Sequence, residues 1–196
     1  MAAIEQGPLR ATGGLRLSVD GGLELLATAG TILVPGWKAI DAPVRQVLCA
    51  VLRAAHERGA RLLSSCSGVF VLAASGLLDG KCATTHWRYV EALAKHYPAV
   101  RVNPYVLYVD EGSLLTSAGS AAGIDACLHL VRRDYGAKVA NLVARRLVVA
   151  AHRDGGQAQF VERPVAHENA DLGTLFDWMR ECVHEDLSIA WLNTRI

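Results

Sequence analysis

The sequence predicts an α/β fold: a doubly wound, mostly parallel sheet followed by a short helical tail. Three observations carry this. Apolar runs of strand length alternate along the chain with stretches of helical period. One run, "TILVPGW" (31–37), is continuously apolar and ends in Pro-Gly, which suits a parallel strand buried on both faces. The alternation then stops near residue 152, where the chain turns polar before a last helical segment.

Taken in order, "GLRLSVD" (14–20) alternates apolar and polar residues and reads as a strand. After "TILVPGW", residues Val44, Val47, Leu48, Val51, Leu52 and Ala55 make one helical stripe, with Gly59 placed to cap its end. "RLLSS" (61–65) is a short strand, and "SGVFVLAASGLL" is a helix ended by Gly76. "KCATT" is a short strand, and "WRYVEALAKHY" is a helix stopped by Pro98. "YVLYVDEGSLLTSAG" reads as a hairpin around Asp110, Glu111 and Gly112. "AGIDACLHLVRRDYG" carries Ile124, Cys127, Leu128 and Val131 on one stripe, and "AKVANLVARRLVVA" is a further helix. "HRDGGQAQFVERPVAHENA" has a Gly pair, a Pro and no apolar period, so it reads as a linker. "DLGTLFDWMRECVHEDLSIAWLNTRI" regains helical spacing through Leu172, Leu175, Phe176 and Met179, with Ser188 as the N-cap of another helix. The domains expected are therefore 9–150, a linker at 151–170 and a helical segment at 171–196.

Composition narrows the function classes. Hydrophobic residues make up 52% and charged residues 20% of the 196, a globular and not a disordered balance. A net charge of +1 gives no general attraction to nucleic acid or anionic membrane. "MAAIEQGPLR" lacks a basic stretch followed by an apolar one, and "GVFVLAASGLL" is too short to span a bilayer. The five cysteines are odd in number and show no C-x-x-C, which points to reduced thiols in a cytoplasm. Cys82 with His86 and Cys127 with His129 lack a second ligand pair at zinc spacing, so no metal and no cofactor are expected.

The chemistry centres on Cys66 in "LLSSCSGVFVLAASG" (62–76). Strand, cysteine, then helix is the order of a nucleophile elbow, with small residues at 64 and 68 leaving room for a sharp turn. A helix start favours an anionic sulfur, and the N–H groups of Ser67 and Gly68 are placed for an anion. The other reading is a buried, inert cysteine at a tight turn. His86, ending the next predicted strand, is the candidate base, or else a hydrogen-bonded structural histidine. Parallel strands would bring Cys66, His86, Thr85 and the turn "TSAGSAAGID" (116–125) to one crevice. Its expected lining is Ser67, Gly68, Thr85, Thr116, Ser117 and Gly119. Asp125 is expected to cap or pair, and Cys49 and Cys127 to sit in the core.

"SSCSGVFVLAASGLLDGKCATTHW" with "LLTSAGSAAGIDACLHLV" resembles the ThiJ/PfpI group of the class I glutamine amidotransferase-like fold. "HRDGGQAQFVERP" and "LFDWMRECVHEDLSIAWL" resemble, more narrowly, the linker and the opening of the DNA-binding domain in AraC-type transcription regulators. The resemblance covers roughly 9–192. It implies a flavodoxin-like sheet, a sensing and dimerising domain, and a helix-turn-helix reader of which 171–196 is an incomplete start. Departures accompany it. The family's acidic residue near the elbow lies on an element that would precede this chain, and the proteases place a His where Ser67 stands. The tail stops short of one complete reader, so the chain reads as truncated at both ends. Ser65, Cys82 and Tyr105 stand where an apolar, a basic and an acidic residue are expected.

Three functions follow. The first is an AraC-type regulator, a homodimer with an unknown small-molecule effector and DNA contact only in an intact relative. The second is a cysteine-dependent hydrolase, amidase or hydratase. The third is a non-catalytic sensor whose output is lost. The linker and tail favour the first.

Overall fold

The computed structural model describes residues 1–157 except Gln6, Ala11 and Asp154, together with Trp178, Arg180, Glu181 and His184. The chain divides into two compact units, Met1–Val161 and Glu162–Ile196. In the second, Trp178, Arg180 and Glu181 are helical and His184 lies in a turn; the rest of the predicted tail lies outside the described residues.

The first unit opens with two short strands, β1 (Leu9–Arg10) and β2 (Arg16–Leu17), paired antiparallel. Then follow β3 (Thr31–Val34), α1 (Gln46–Glu57), β4 (Arg61–Ser65), α2 (Val69–Ala74) and β5 (Cys82–Ala83). The unit continues with α3 (Val90–His96), β6 (Arg101–Val102), β7 (Tyr108–Asp110), β8 (Leu114–Ser117) and α4 (Ala121–Leu147). The main sheet has the order β3-β4-β8-β7, with β3, β4 and β8 parallel and β7 antiparallel. β5 and β6 form a separate parallel pair, and β6 has no counterpart in the sequence reading.

Register explains the two-sided winding. Leu62 lies beside Leu114 and Leu63 beside Leu115. Because successive side chains alternate faces, Leu62 and Leu114 enter the larger core with α1, α2 and α3. Leu63 and Leu115 enter the opposite core with Ala126 and Leu130 of α4. All four leucines are essentially fully buried, each contributing roughly 1.5–3 kcal/mol of apolar burial. α2 is buried over Val69–Ala73, so it shows no polar face, and Phe70 meets Tyr89 and Tyr97 edge-on.

Three expectations change. β3 is not buried on both faces: it is the sheet's edge strand, and Leu33 is 51% exposed. On α1 the buried positions are Cys49, Leu52 and Ala55, while Val47 is 53% exposed. On α4 they include Ala122, Ala126 and Leu130, while Ile124 is 40% exposed and Cys127 half-buried. Leu52 and Leu128 are buried as the stripes predict, and small residues beside them, Ala55, Ala122 and Ala126, complete the contact faces. The capping reading of α1 holds: Gly59 has φ +95, and the Gly59 and Ala60 N–H groups donate to His56 O and Ala55 O. The two helices read after the hairpin are both present: α4 consists of two helical segments joined at Gly136, whose φ of +81 and ψ of 169 are not helical. Among the described residues no helix is long and apolar enough to cross a membrane.

Candidate functional site

Cys66 follows β4 directly and opens a single 3-10 turn, Cys66–Gly68, that leads into α2. Its φ is +53, a left-handed conformation that costs a non-glycine residue about 1–2 kcal/mol. The neighbours hold that geometry. A Cβ at Gly68 would overlap Val34 O and Pro35 O at the end of β3. A Cβ at Gly119, itself at φ +84, would overlap Cys66 Cβ and fall 2.9 Å from Cys66 N and Cα. Thr85 Oγ1 donates to Cys66 O at 2.9 Å. Ser67 Oγ accepts from Trp37 N–H at 2.8 Å and donates to Trp37 O at 3.1 Å. The ends of β3, β4, β5 and β8 therefore meet at the cysteine, at the carboxyl ends of the parallel strands.

The predicted lining residues divide into two groups. Ser67, Gly68, Thr85, Thr116 and Ser117 are all buried beneath the crevice. Thr116 Oγ1 accepts from Thr84 N–H at 2.9 Å, and Ser117 Oγ donates to Ser64 O at 3.1 Å. Their hydroxyls are taken up in bracing the strand ends. Gly119 and His86 instead line a pocket of about 280 Å³ beside the elbow. His86 Nδ1 accepts from Arg88 N–H at 3.3 Å, and its ring leans on Trp87 and Tyr89. Burial, reinforced by the Arg88 charge, holds the His86 pKa below its ordinary value. Among the described residues Cys66 Sγ makes no hydrogen bond, so Cys66 and His86 do not form a bonded pair here. Burial pushes the thiols of Cys49 and Cys127 up.

Two residues of this pocket belong to the segment that the sequence presents as linker. Arg153 grips the carboxylate of Asp125 through Nε, at 3.0 and 3.1 Å, and through Nη2. That ion pair fulfils the pairing expected for Asp125. Gln157 is 2% exposed and donates to Thr85 O at 2.9 Å and Val106 O at 3.1 Å. The start of the polar segment after α4 is thus a strap docked on the domain. The signal for it is the Gly pair in "HRDGGQAQF": a Cβ at Gly156 would overlap Tyr105 O, so only glycine lets the strap approach that backbone.

A smaller hollow of about 80 Å³ beside Asp125, His129, Arg132, His152 and Arg153 is polar, and the two larger ones are apolar. One of about 330 Å³ lies between Leu33, Leu63 and α4, and one of about 720 Å³ lies between residues 1–37 and Leu48 and Leu52 of α1. Polar groups converge in the pocket at His86, Arg153 and Gln157, which makes it the candidate small-molecule site. Among the described residues no three His, Cys, Asp or Glu side chains stand close enough to hold a metal ion.

Residues 1–133 match the DJ-1/PfpI family. The HTH-type transcriptional regulator CdhR of Pseudomonas aeruginosa is 34% identical over 152 residues, 77% of this chain and 45% of its own length. Isonitrile hydratase of Pseudomonas putida is 33% identical over 144 residues, 73% of this chain and 62% of its own. The chain spans about half the length of the regulators it matches. Among solved structures, an AraC family transcriptional regulator from Pseudomonas putida shares the fold with a TM-score of 0.65 at 22% identity, over 74% of this chain and 78% of that one.

Proposed function

We propose, from the premise that the chain belongs to the DJ-1/PfpI family, that it is the effector-sensing and self-associating part of an AraC-type transcription regulator in the cytoplasm. In this reading residues 9–150 sense a small molecule, 151–170 link, and 171–196 open a helix-turn-helix domain. His86 and Gly119 border the effector site, Cys66 stands beside it against Gly119, and Ser67, Gly68, Thr85, Thr116 and Ser117 frame it. The observation that carries the reading is the likeness to the regulator CdhR over three quarters of the chain.

Two features support its parts. The second half of α4 leaves Val139, Leu142 and Leu147 exposed, an apolar surface suited to a homodimer. Residues 171–196 carry Arg180 and Arg195 against Asp171, Asp177, Glu181, Glu185 and Asp186. Such a segment offers little to DNA phosphates, so this chain is expected to bind DNA weakly and without sequence preference.

A second reading, a cysteine-dependent hydratase, amidase or hydrolase, is favoured by the Cys66 elbow and the likeness to isonitrile hydratase. An alkyl isonitrile offered to the chain and to Cys66→Ser, with light scattering on the same samples, separates the two. The regulator reading expects a dimer and no Cys66-dependent formation of the N-alkyl formamide. Turnover that vanishes in Cys66→Ser would overturn it in favour of the enzyme. A clean monomer at high micromolar concentration would remove the self-association.

A further inference from the structure

The strap after α4 carries a polar atom that the fold leaves without a use. Gln157 Nε2 faces two carbonyls, Thr85 O and Val106 O, and lies 3.2 Å from Thr84 Oγ1. Carbonyls only accept, so the amide must turn its nitrogen toward them and its oxygen away. On that other side Gln157 Oε1 is buried and has no partner among the described residues. A buried acceptor left unpaired is costly, and folded proteins leave few of them.

Gln157 lines the same pocket as His86 and Arg153. Arg153 commits Nε and Nη2 to Asp125, and its Nη1 has no partner among the described residues. With Nδ1 of His86 accepting from Arg88 N–H, the neutral ring carries its proton on Nε2. The residues that line the pocket therefore include one buried acceptor without a donor and two groups able to donate.

We propose that Gln157 and Arg153 are the polar determinants of the effector site. The ligand is a small molecule that gives an N–H or O–H donor to Gln157 Oε1 and a carboxylate to Arg153. A 2-hydroxy acid is the simplest molecule of this class. The proposal rests on the effector-sensing reading above and names the chemistry of that site. It also ties sensing to output, because both residues lie on the segment through which the chain leaves the domain. A ligand bonded to both would hold the strap in its docked position.

The test is a calorimetric titration of the whole chain with two matched pairs at constant ionic strength: lactate against propionate, and phenyllactate against phenylpropionate. Each pair differs by the hydroxyl that would serve Oε1. The expected result is that at least one hydroxy acid binds tenfold or more tightly than its partner, that Gln157→Leu abolishes the preference, and that Arg153→Met weakens both members alike. The comparison within a pair needs no variant, so a Gln157→Leu chain that fails to fold leaves it intact. Equal affinities within each pair would overturn the proposal and assign Oε1 to bound water, while leaving the sensing reading in place. A preference that survives Gln157→Leu overturns it as well, as does no binding of any of the four acids. Failure of the regulator reading shows separately, as isonitrile turnover by Cys66.

Discussion

Gly119→Ala measures how tightly the elbow is braced. Two penalties fall on the new methyl group. The backbone there has φ +84, and a left-handed alanine costs about 1–2 kcal/mol. The methyl also overlaps Cys66 Cβ and sits 2.9 Å from Cys66 N and Cα. Two of these three atoms are backbone and cannot rotate away, so the turn after β8 or the elbow must shift, at the roughly 1–3 kcal/mol typical of overpacking. Gly59 separates the penalties. It has φ +95, and a Cβ added there would meet nothing within 4 Å, so Gly59→Ala carries the backbone cost alone. Urea unfolding of both variants, compared at unchanged m, should place Gly119→Ala below Gly59→Ala by about 1–3 kcal/mol. Equal destabilisation of the two variants would refute the packing of Gly119 on Cys66 and, with it, the braced elbow.

Two further outcomes follow from the site. On brief alkylation of the native chain, Cys66 should be modified before Cys49 and Cys127, because Cys49 has no exposed surface and burial pushes both of those thiols up. Peptide mapping checks the order, and faster labelling of Cys49 or Cys127 would refute it. The second concerns pH. Burial, then the Arg88 charge, holds the folded His86 pKa below its ordinary 6.5, so the unfolded chain takes up that proton first as pH falls. The neutral ring's contribution is whole above about 6.5 and is lost as pH drops through that value toward the folded pKa. The stability advantage of wild type over His86→Gln should therefore shrink between about pH 7.5 and pH 5.5 in parallel denaturation series; an advantage that is constant or grows refutes the assignment.

Much of the fold is legible in the sequence because strand and helix periods differ. Leu62, Leu63, Leu114 and Leu115 form apolar pairs of the length a two-faced sheet needs, and the turn residues around Gly112 mark the hairpin. The helix faces are less legible. On α4 the buried stripe runs through Ala122, Ala126 and Leu130, and alanine scores weakly in a search for large apolar groups. Ile124 stands out instead, although it flanks the contact. The elbow is readable from small residues around Cys66, yet the sequence does not say which of its hydroxyls face a ligand. The strap misleads for a physical reason: a polar segment with two glycines reads as solvated linker, whereas its polarity is spent inward on Asp125, Thr85 and Val106.

That division of labour bears on how one scaffold serves both catalysts and sensors. The left-handed Cys66 must be offset by its surroundings, and neutral hydrogen bonds such as Thr85 to Cys66 O and Ser67 to Trp37 contribute about 1 kcal/mol each. Residues committed to this support cannot be exchanged to suit a new ligand without loosening the turn. Gln157 meets this support only at its margin, through Thr84 and Thr85, and Arg153 meets Asp125 instead. Neither touches Cys66 or Gly119, so exchanging them disturbs the elbow less than exchanging Thr85 or Ser67 would. On the effector-site proposal, the Cys66 elbow belongs to the family match at 1–133, while effector choice would rest with Arg153 and Gln157 beyond it.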